Sequence, residues 1–535
     1  MTAFTGAITV MDTAMAMATT PVRTRPEASR KRWPQAPVVL RLQCLAAAVA
    51  VFAVCPAAAQ TVHIEPSVTG SLTWTDNIDA AAENGGSGWV MDVAPGLSIW
   101  REGGRIRGRL DASVRHQANL SGDKGSTTYL TLQGRGALEA VENLLFIDVD
   151  GAISRDNRSL FSGRIRGDTL NTDDDQEVRR FGVAPRLALR VGDIAASLGY
   201  RARWLDSGGD LGRQRVGQWL ANVDHSKAFN VFGWALNYGR TDTAYGRDGV
   251  ADVSDEQLRG ILYFNASRQW RLALVAGHES NDYAVRRGDS GSITGAGFDW
   301  RPNERTIVSA ISEKRLFGRG YEFLFKHRRA LSAWTLGWSR DISSALQVYD
   351  RLLDVPGFGS RYQGLLSDEL DPVVRDRLER ELQALGVSRA ALDEAVVSNS
   401  YFVDRRFHAG LSLIGARNLL SLTVSRSDRE RLGETGFVSA QDDFSIYQRI
   451  REKSARISWT HRLSGTSALT TTLTRVNAWG EGSNAASIRR TLFSLGWSAR
   501  LSPRTTAGLM YRYQQASGSD DFTENAITAN IAMRF

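Results

Sequence analysis

Apolar and polar side chains alternate one by one in segment after segment of this chain. In residues 105–116, for example, Ile106 and Val114 fall on one parity and basic residues fall on the other. Because successive side chains of a β-strand point to opposite faces, this pattern predicts strands with one apolar and one polar face. The final residues, 525–535, follow the same rule. We therefore expect an all-β fold.

The connections between these segments separate two kinds of all-β fold, because a soluble β-sandwich also alternates. Short connections such as 101–105 and 139–143 alternate with long ones such as 118–127, and the later stretches 479–487 and 516–524 also read as long loops. Short turns at one end and long loops at the other are typical of a transmembrane antiparallel β-barrel of the bacterial outer membrane.

Counting segments predicts about 22 strands, within a range of 20 to 24. An even number places both chain termini on the short-turn, periplasmic side. The count depends most on residues 304–342, where both connections are brief. The last strand must pair with the first, since a spanning sheet has to satisfy every backbone group by closing on itself. An aromatic residue that ends an alternating strand resembles the signal read by the barrel assembly machinery, and Phe535 is the residue expected to carry it.

Residues 1–59 are expected to be a secretory leader, and residues 60–535 the barrel. A basic cluster at 30–32 precedes a short apolar core, and small residues end at Ala59, after which we expect signal-peptide cleavage. The leader contains both cysteines, Cys44 and Cys55. The remainder holds 60 basic and 56 acidic side chains, a net charge of +4, and this balance does not suggest a nucleic-acid partner.

Residues 356–398 break the alternating pattern and change to a helical period. Asp371 and Pro372 suit a helix start, and Gly386 suits its end. A second short helix is predicted from Ser388 to Val396. Strand parity places this helical hairpin insert in an outer loop, where it either caps the outer mouth or folds into the lumen as a plug.

Tryptophans cluster near the predicted tight turns, where amphipathic rings sit at a membrane interface. Core packing is the alternative explanation for these side chains. The candidates are Trp100, Trp270, Trp300 and Trp497.

The polar face of the early strands is strongly basic, with ten arginines against Asp111, Glu139, Asp148 and Asp150. If it lines the lumen, it forms a positive wall that concentrates anions, including an acidic polysaccharide. Alternatively, these arginines pair with carboxylates of other strands and brace the barrel. The candidate lumen-lining residues are Arg105, Arg107, Arg109, Arg115, Arg135, Arg180, Arg186, Arg190, Arg201 and Arg203.

Signatures of catalysis and of bound metal or cofactor are scarce, so we predict a protein that is not an enzyme and that needs no cofactor. The acidic run around Asp173–Asp175 and Glu177 lacks the spacing of a calcium loop and reads as a solvated loop. The histidines are scattered singly, without metal-ligand spacing: His63, His116, His225, His278, His327, His408 and His461.

Four stretches in this order resemble a known family. They are "IEPSVTGSLTWTDNID", "MDVAPGLSI", "ALEAVENLLFIDVDGAISRDN" and the helical "DPVVRDRLERELQALG". The chain resembles the outer-membrane β-barrel proteins associated with the PEP-CTERM/exosortase system. That resemblance implies a barrel linked to exopolysaccharide export or envelope organisation, without catalytic residues to carry over.

The expected function is therefore that of a passive channel or scaffold in the outer membrane. Outer-membrane lipid and lipopolysaccharide are the expected surroundings, and components of exopolysaccharide export are possible partners. A general diffusion porin, or a structural barrel without a polymer client, is the alternative from a different class. An outer-membrane lipid or glycan hydrolase is the third.

Overall fold

The computed structural model describes residues 62–83, 85–121, 125–157, 159–161, 175–207, 212–225, 231–246, 252–282, 289–344, 400–433, 442–482 and 485–535. Within them the chain forms 22 β-strands and one short helix, α1 (Asp443–Ile446). Among these residues, no helix is long and apolar enough to cross a bilayer. The predicted helical insert at 356–398 and the predicted leader lie outside the described residues.

The strands follow one another in chain order, and each runs for 10 to 17 residues. The first eleven are β1 (His63–Thr75), β2 (Gly88–Arg101), β3 (Ile106–Asn119), β4 (Thr127–Val141), β5 (Leu145–Asn157), β6 (Asp175–Val191), β7 (Ile194–Asp206), β8 (Arg213–His225), β9 (Phe232–Tyr245), β10 (Val253–Asn265) and β11 (Trp270–Asn281). The second eleven are β12 (Asp289–Asn303), β13 (Thr306–Arg315), β14 (Gly318–Arg329), β15 (Ser332–Ser344), β16 (Tyr401–Ile414), β17 (Asn418–Arg431), β18 (Tyr447–Arg462), β19 (Ser467–Gly482), β20 (Ala486–Ser502), β21 (Thr505–Gly518) and β22 (Phe522–Arg534).

The sheet is a closed ring. Every strand pairs antiparallel with the next one in the chain, and β22 pairs with β1 from Ser67 opposite Arg534 to Thr75 opposite Ala526. Closure removes the two edges that an open sheet would leave unpaired, which is the condition for a sheet to span a bilayer. The predicted fold class, an antiparallel barrel of about 22 strands, is confirmed.

Burial identifies the inner face of this ring. On β10, Leu258 is 45% exposed while the next residue, Arg259, is 1% exposed. A sheet one layer thick can enclose a side chain only on its concave side, so the buried arginine points inward and the exposed leucine outward. Directly opposed residues of neighbouring strands lie on the same face, so the register extends the inward and outward faces from β10 to every other strand. The outer face holds large apolar side chains such as Leu274 and Leu509. This outer face is the one that meets lipid.

The connections alternate between the two ends of the barrel, with one difference from the sequence prediction. At the end that holds the start of β1 and the end of β22, β6 and β7 are joined by two residues, 192–193, while at the other end β15 and β16 are separated by residues 345–400. The stretches predicted as long loops at 479–487 and 516–524 are short instead. The flanking strands extend through them, with backbone pairing up to Gly480 opposite Ala486 and Ile488 opposite Gly518, and leave only 483–485 and 519–521 as connections.

Three of the four predicted interface tryptophans face outward near the short turns. Trp270 lies directly opposite Trp300 with the rings stacked at 5.3 Å, and Trp497 is exposed on the apolar face of β20. Trp100 is different. Its neighbours Leu97 and Ile99 set the outward parity of β2, so Trp100 faces the lumen, where it stacks on His63 at 5.2 Å.

Candidate functional site

The lumenal wall formed by β3 to β7 is the candidate site. The apolar residues of these strands, such as Leu110 and Leu187, take the outward parity, and the register places the polar parity of all five strands on the inner face. This inner face contains all ten arginines singled out from the sequence. They differ in height along the barrel axis and in their partners.

Three of these arginines are exposed to the lumen: Arg107 and Arg190 near the short-turn end, and Arg135 midway along β4, directly opposite Asp150 of β5. Arg107, Arg135 and Arg190 make no ion pair with any carboxylate of the described residues. Arg186 is half-buried and places its guanidinium 4.8 Å from the ring of Phe146, a cation–π contact that leaves its charge uncompensated. This end of the wall therefore carries free positive charge, which we call the basic vestibule: Arg107, Arg135, Arg186 and Arg190.

Two further arginines at the same end have carboxylate partners. Arg109 donates to Asp111, two residues away on the same strand, at 2.7 Å, and lies 5.7 Å from the Trp100 ring. Arg105 pairs with Glu142 at 3.0 Å across the turns that flank β3 and β4, and both of these side chains are exposed. Because exposed pairs of this kind contribute at most about 1 kcal/mol, they position the side chains without strongly stabilising the barrel.

Toward the outer mouth, the arginines of the same wall are packed in. Arg201 is 2% exposed and reaches Asp150 on β5 at 3.1 Å. Asp150 leans over Gly182, where a Cβ atom would lie 2.7 Å from its carboxylate. Arg115 lies 3.4 Å from Asp92.

The other two outer arginines also lack a free, exposed charge. Arg180 donates to the Ser154 hydroxyl at 3.3 Å, and Arg203 is buried. The arginines of the outer half of this wall are therefore paired or buried, whereas four of the six in the inner half carry free positive charge.

A buried ionic network on the opposite wall was not predicted from the sequence. Arg259 of β10 pairs with Glu313 of β13 at 3.0 Å, and both side chains are almost completely enclosed. Arg315 donates to Glu279 through Nε at 2.7 Å and lies 3.7 Å from Asp341 of β15. These residues belong to four different strands, so only the register of the closed barrel brings them together.

Below this network, the inner face of β9 to β13 is apolar. A cluster that includes Ile261, Tyr263 and Ile293 is fully buried, and the guanidinium of Arg271 lies 5.2 Å from the Tyr263 ring. The signal was present in the sequence, since residues 261–264 are apolar on both parities. This part of the wall is packed and not lined by water.

The outer mouth is crossed by a first bridge, from the β5–β6 connection to α1. Asp443 of α1 accepts hydrogen bonds from the Ser159 hydroxyl at 2.6 Å and from the Leu160 backbone N–H at 2.8 Å. Leu160 and Phe161 pack beside Phe402 and Phe444 in one buried cluster. Because β5 and β16 to β18 lie on opposite arcs of the ring, this contact spans the opening.

A second bridge joins β9 to the start of β16. The Thr243 hydroxyl and the Tyr401 hydroxyl lie 2.7 Å apart, and both residues are buried. Tyr401 also packs with Val253 and Ile342, the ends of β10 and β15. These strands are not neighbours in the sheet, so the second bridge also ties separate arcs of the rim together.

The residues considered for chemistry do not converge. The seven histidines lie on seven different strands, β1, β3, β8, β11, β14, β16 and β18. In the described part of the chain, no group of three or more histidine, cysteine or acidic residues could hold a metal ion. Of the predicted acidic loop, Asp173 and Asp174 lie outside the described residues, whereas Glu177 lies within β6 and pairs with Arg179.

Phe535, the expected assembly signal, lies just beyond β22. Its backbone N–H donates to the Pro66 carbonyl of β1 at 2.9 Å, while its side chain is 62% exposed. The terminal residue therefore sits at the seam where the ring closes.

No family model matches the chain, and no curated protein matches it. Solved structures with a similar course of the chain include the siderophore receptor PirA from Pseudomonas aeruginosa, at 9% identity and a TM-score of 0.44, covering 89% of this chain and 81% of that one. Another is the FrpB iron transporter from Neisseria meningitidis (F5-1 variant), at 10% identity and a TM-score of 0.47, covering 88% and 82%. The assignment to a membrane rests on the closed ring and its apolar outer face.

The chain is an outer-membrane β-barrel of 22 strands. Its short-turn end is the periplasmic end, by the rule that periplasmic turns are short and outer loops long. The basic vestibule therefore opens toward the periplasm, and the two bridges cross the mouth that faces the outside of the cell. An anion entering from the periplasm would meet free arginines first and packed side chains afterwards.

Proposed function

We propose that this barrel is a gated outer-membrane channel that admits anions from the periplasm. The observation that supports the proposal is the free positive charge of the basic vestibule, formed by Arg107, Arg135, Arg186 and Arg190. Arginines that only brace a wall are paired and buried, as Arg201 is. Uncompensated charges in a lumen with low-dielectric walls raise the local concentration of counter-ions.

The two bridges supply the gate in this proposal. The first consists of two hydrogen bonds to Asp443, from Ser159 and Leu160, and a small apolar cluster that includes Phe402. The second consists of one hydrogen bond, between Thr243 and Tyr401, and a small apolar cluster that includes Ile342. Contacts of this size separate far more readily than the paired strands of the wall. Opening therefore changes the rim and leaves the barrel intact.

The client we propose is an acidic extracellular polysaccharide. The resemblance to barrels of the PEP-CTERM/exosortase system supports this choice, and so does the charge of the vestibule. A polymer with one carboxylate per repeat would interact with several arginines in succession. No single site needs to bind tightly, which suits a passive path.

Recording from the purified barrel in a planar bilayer tests the proposal. We expect anion-selective conductance under a salt gradient, and block by an acidic polysaccharide added on the periplasmic side at lower concentrations than by a neutral one. The triple variant Arg107→Gln, Arg135→Gln, Arg190→Gln should shift the reversal potential toward cation selectivity. Arg504→Gln is the matched control, because it removes one positive charge from a periplasmic turn without touching the lumenal wall.

Unchanged selectivity in the triple variant would contradict the proposal. Absence of conductance in the wild type and also after both bridges are removed would favour a structural barrel without a client. The buried network of Arg259, Glu313 and Arg315 is the observation that favours this second candidate, since it fills lumenal volume with side chains that brace the wall.

A further inference from the structure

The outer face carries an unusual charge distribution on the arc from β16 to β20. On each of these five strands, the apolar residues that face lipid are followed toward the outside by a basic residue. On β16 the sequence of outward residues is Leu411, Ala409, Phe407 and Arg405. The corresponding residues on the next four strands are Arg426, Lys453, Arg475 and Arg489. We call these five residues the basic arc.

The basic arc is exposed and closely spaced. All five side chains are exposed. Arg426 lies directly opposite Lys453 on the neighbouring strand, and Arg475 follows one outward position lower on β19. Since neighbouring strands lie about 4.8 Å apart, five strands cover roughly 20 Å of the circumference.

Like charges continue beyond the arc on β13 to β15. Lys314 lies directly opposite Arg319, and Arg340 lies directly opposite Arg405. Like charges in directly opposed positions of a sheet destabilise it. Three such pairs in one continuous stretch are costly unless anions lie between them.

The carboxylates on strands β16 to β20 do not neutralise the basic arc. Asp428 lies directly opposite Arg405 but pairs with Arg449 of β18. Glu481 lies at a higher level and pairs with Arg451 at 2.8 Å. Within the described residues, no ion pair within 4.0 Å joins a member of the basic arc to a carboxylate. Lys453 instead places its ammonium group 5.3 Å from the ring of Trp479.

The rest of the outer face provides a comparison within the same molecule. On β9, Arg240 occupies the same level above the apolar band, but it donates to both carboxylate oxygens of Asp242, at 3.0 and 3.1 Å. On β6, Arg179 pairs with Glu177. Arg179 and Arg240 are thus paired within the chain, whereas the five residues of the basic arc form no ion pair with a carboxylate of the described residues.

We propose that the basic arc binds the phosphate groups of the phosphorylated glycolipid in the outer leaflet. The arc lies at the first polar level above the hydrocarbon band, which is the level of lipid headgroups. Arginine guanidinium groups bind phosphate oxygens through paired N–H donors, and an anion between Arg426 and Lys453 converts their repulsion into attraction. The proposal concerns the outside of the barrel and does not depend on what crosses the lumen.

Binding of diphosphoryl lipid A to the purified barrel tests this assignment. The wild-type barrel in neutral detergent is titrated with lipid A, and the bound fraction is followed by native mass spectrometry. The triple variant Arg426→Gln, Lys453→Gln, Arg475→Gln should bind about 100-fold more weakly, because it removes three basic residues that face the charged lipid headgroups. Arg240→Gln is the matched control and should bind as the wild type does.

Two further measurements keep the result interpretable. Lipid A from which both phosphates have been removed should bind the wild type as weakly as diphosphoryl lipid A binds the triple variant. If the triple variant does not fold, the single variant Lys453→Gln replaces it in the titration. The double variant Arg426→Lys, Lys453→Arg keeps both charges, and it should fold and bind like the wild type. Equal affinity of wild type and variants for diphosphoryl lipid A, or equal affinity of the wild type for both lipids, would overturn the assignment.

Discussion

The carboxylate of Asp443 holds Ser159 from the other side of the barrel, with 2.6 Å between the Ser159 hydroxyl and one carboxylate oxygen. The second oxygen accepts the Leu160 N–H. These residues are 284 positions apart in the sequence. One buried side chain thus fixes the connection between β5 and β6 across the outer mouth.

Asp443→Ala is therefore expected to open the first bridge. The substitution removes two hydrogen bonds to a buried charged group, each contributing about 1.5–3 kcal/mol. Single-channel recording should show a higher open probability with unchanged ion selectivity, because the vestibule is untouched. Tyr401→Phe, which removes the hydroxyl that contacts Thr243 in the second bridge, should have a smaller effect. An Asp443→Ala barrel that gates like the wild type would show that the bridge does not close the mouth.

The first bridge should also weaken as the pH rises. Burial raises the pKa of Asp443 above its ordinary value of 3.8, although the hydrogen bonds from Ser159 and Leu160 oppose the change. A carboxyl group with a raised pKa stabilises the folded contact fully below its ordinary pKa, and that stabilisation is lost as pH rises through the raised value. We expect open probability to increase with pH from about 3.8 upward. Asp443→Asn removes the titrating group, so its open probability should not follow pH in this window.

Glu313→Ala should destabilise the whole barrel. It leaves Arg259 buried without its partner at 3.0 Å and removes a contact to Arg315. Breaking a buried ion pair from one side costs about 3–5 kcal/mol. Urea unfolding in lipid vesicles, followed by the gel shift of the unfolded barrel, measures the loss of unfolding free energy.

The control is Arg240→Gln, which breaks an exposed pair with Asp242 and should cost less than about 1 kcal/mol. The double variant Arg259→Met, Glu313→Leu should recover most of the loss, and a double variant as unstable as Glu313→Ala would contradict this reading.

Deleting Phe535 should impair assembly in the cell without weakening the finished barrel. The exposed ring adds little packing, and only its backbone N–H contacts Pro66. The amount of folded barrel in outer-membrane fractions should fall several-fold, whereas protein refolded in detergent should unfold at the wild-type temperature. Phe535→Trp should assemble normally. A refolded deletion variant with lowered stability would point to a structural role for the terminal ring instead.

The strands and their two faces were predictable because their information is local. Alternation identified the lipid-facing residues of β3 and β22, and parity placed Arg107 and Arg201 on the same inner wall. Trp100 shows the limit of a simpler rule. Its position near a tight turn suggested the membrane interface, but its parity relative to Leu97 sends it into the lumen.

The contacts inside the barrel were not predictable, because they depend on the register and closure of the whole ring. Nothing near Arg259 in the sequence identifies Glu313 as its partner, and nothing near Ser159 identifies Asp443. The difference between Arg135 and Arg201 also escaped prediction. Both alternate with apolar residues, yet only the closed ring decides which one remains exposed and which one is enclosed.

The pairing of β1 with β22 has a consequence for biogenesis. The hydrogen bonds between residues 67–75 and 526–534 form only when the last residues of the chain have been made. An incomplete polypeptide leaves the backbone groups at both edges of its sheet unpaired, so it has to be kept from aggregating on its way through the periplasm. Because the first and last strands are adjacent, the start of β1 and the end of β22 could be fused by a short linker in a chain that begins at residue 62. New termini could then be cut at the turn of residues 192–193, and the permuted polypeptide should give the same cylinder.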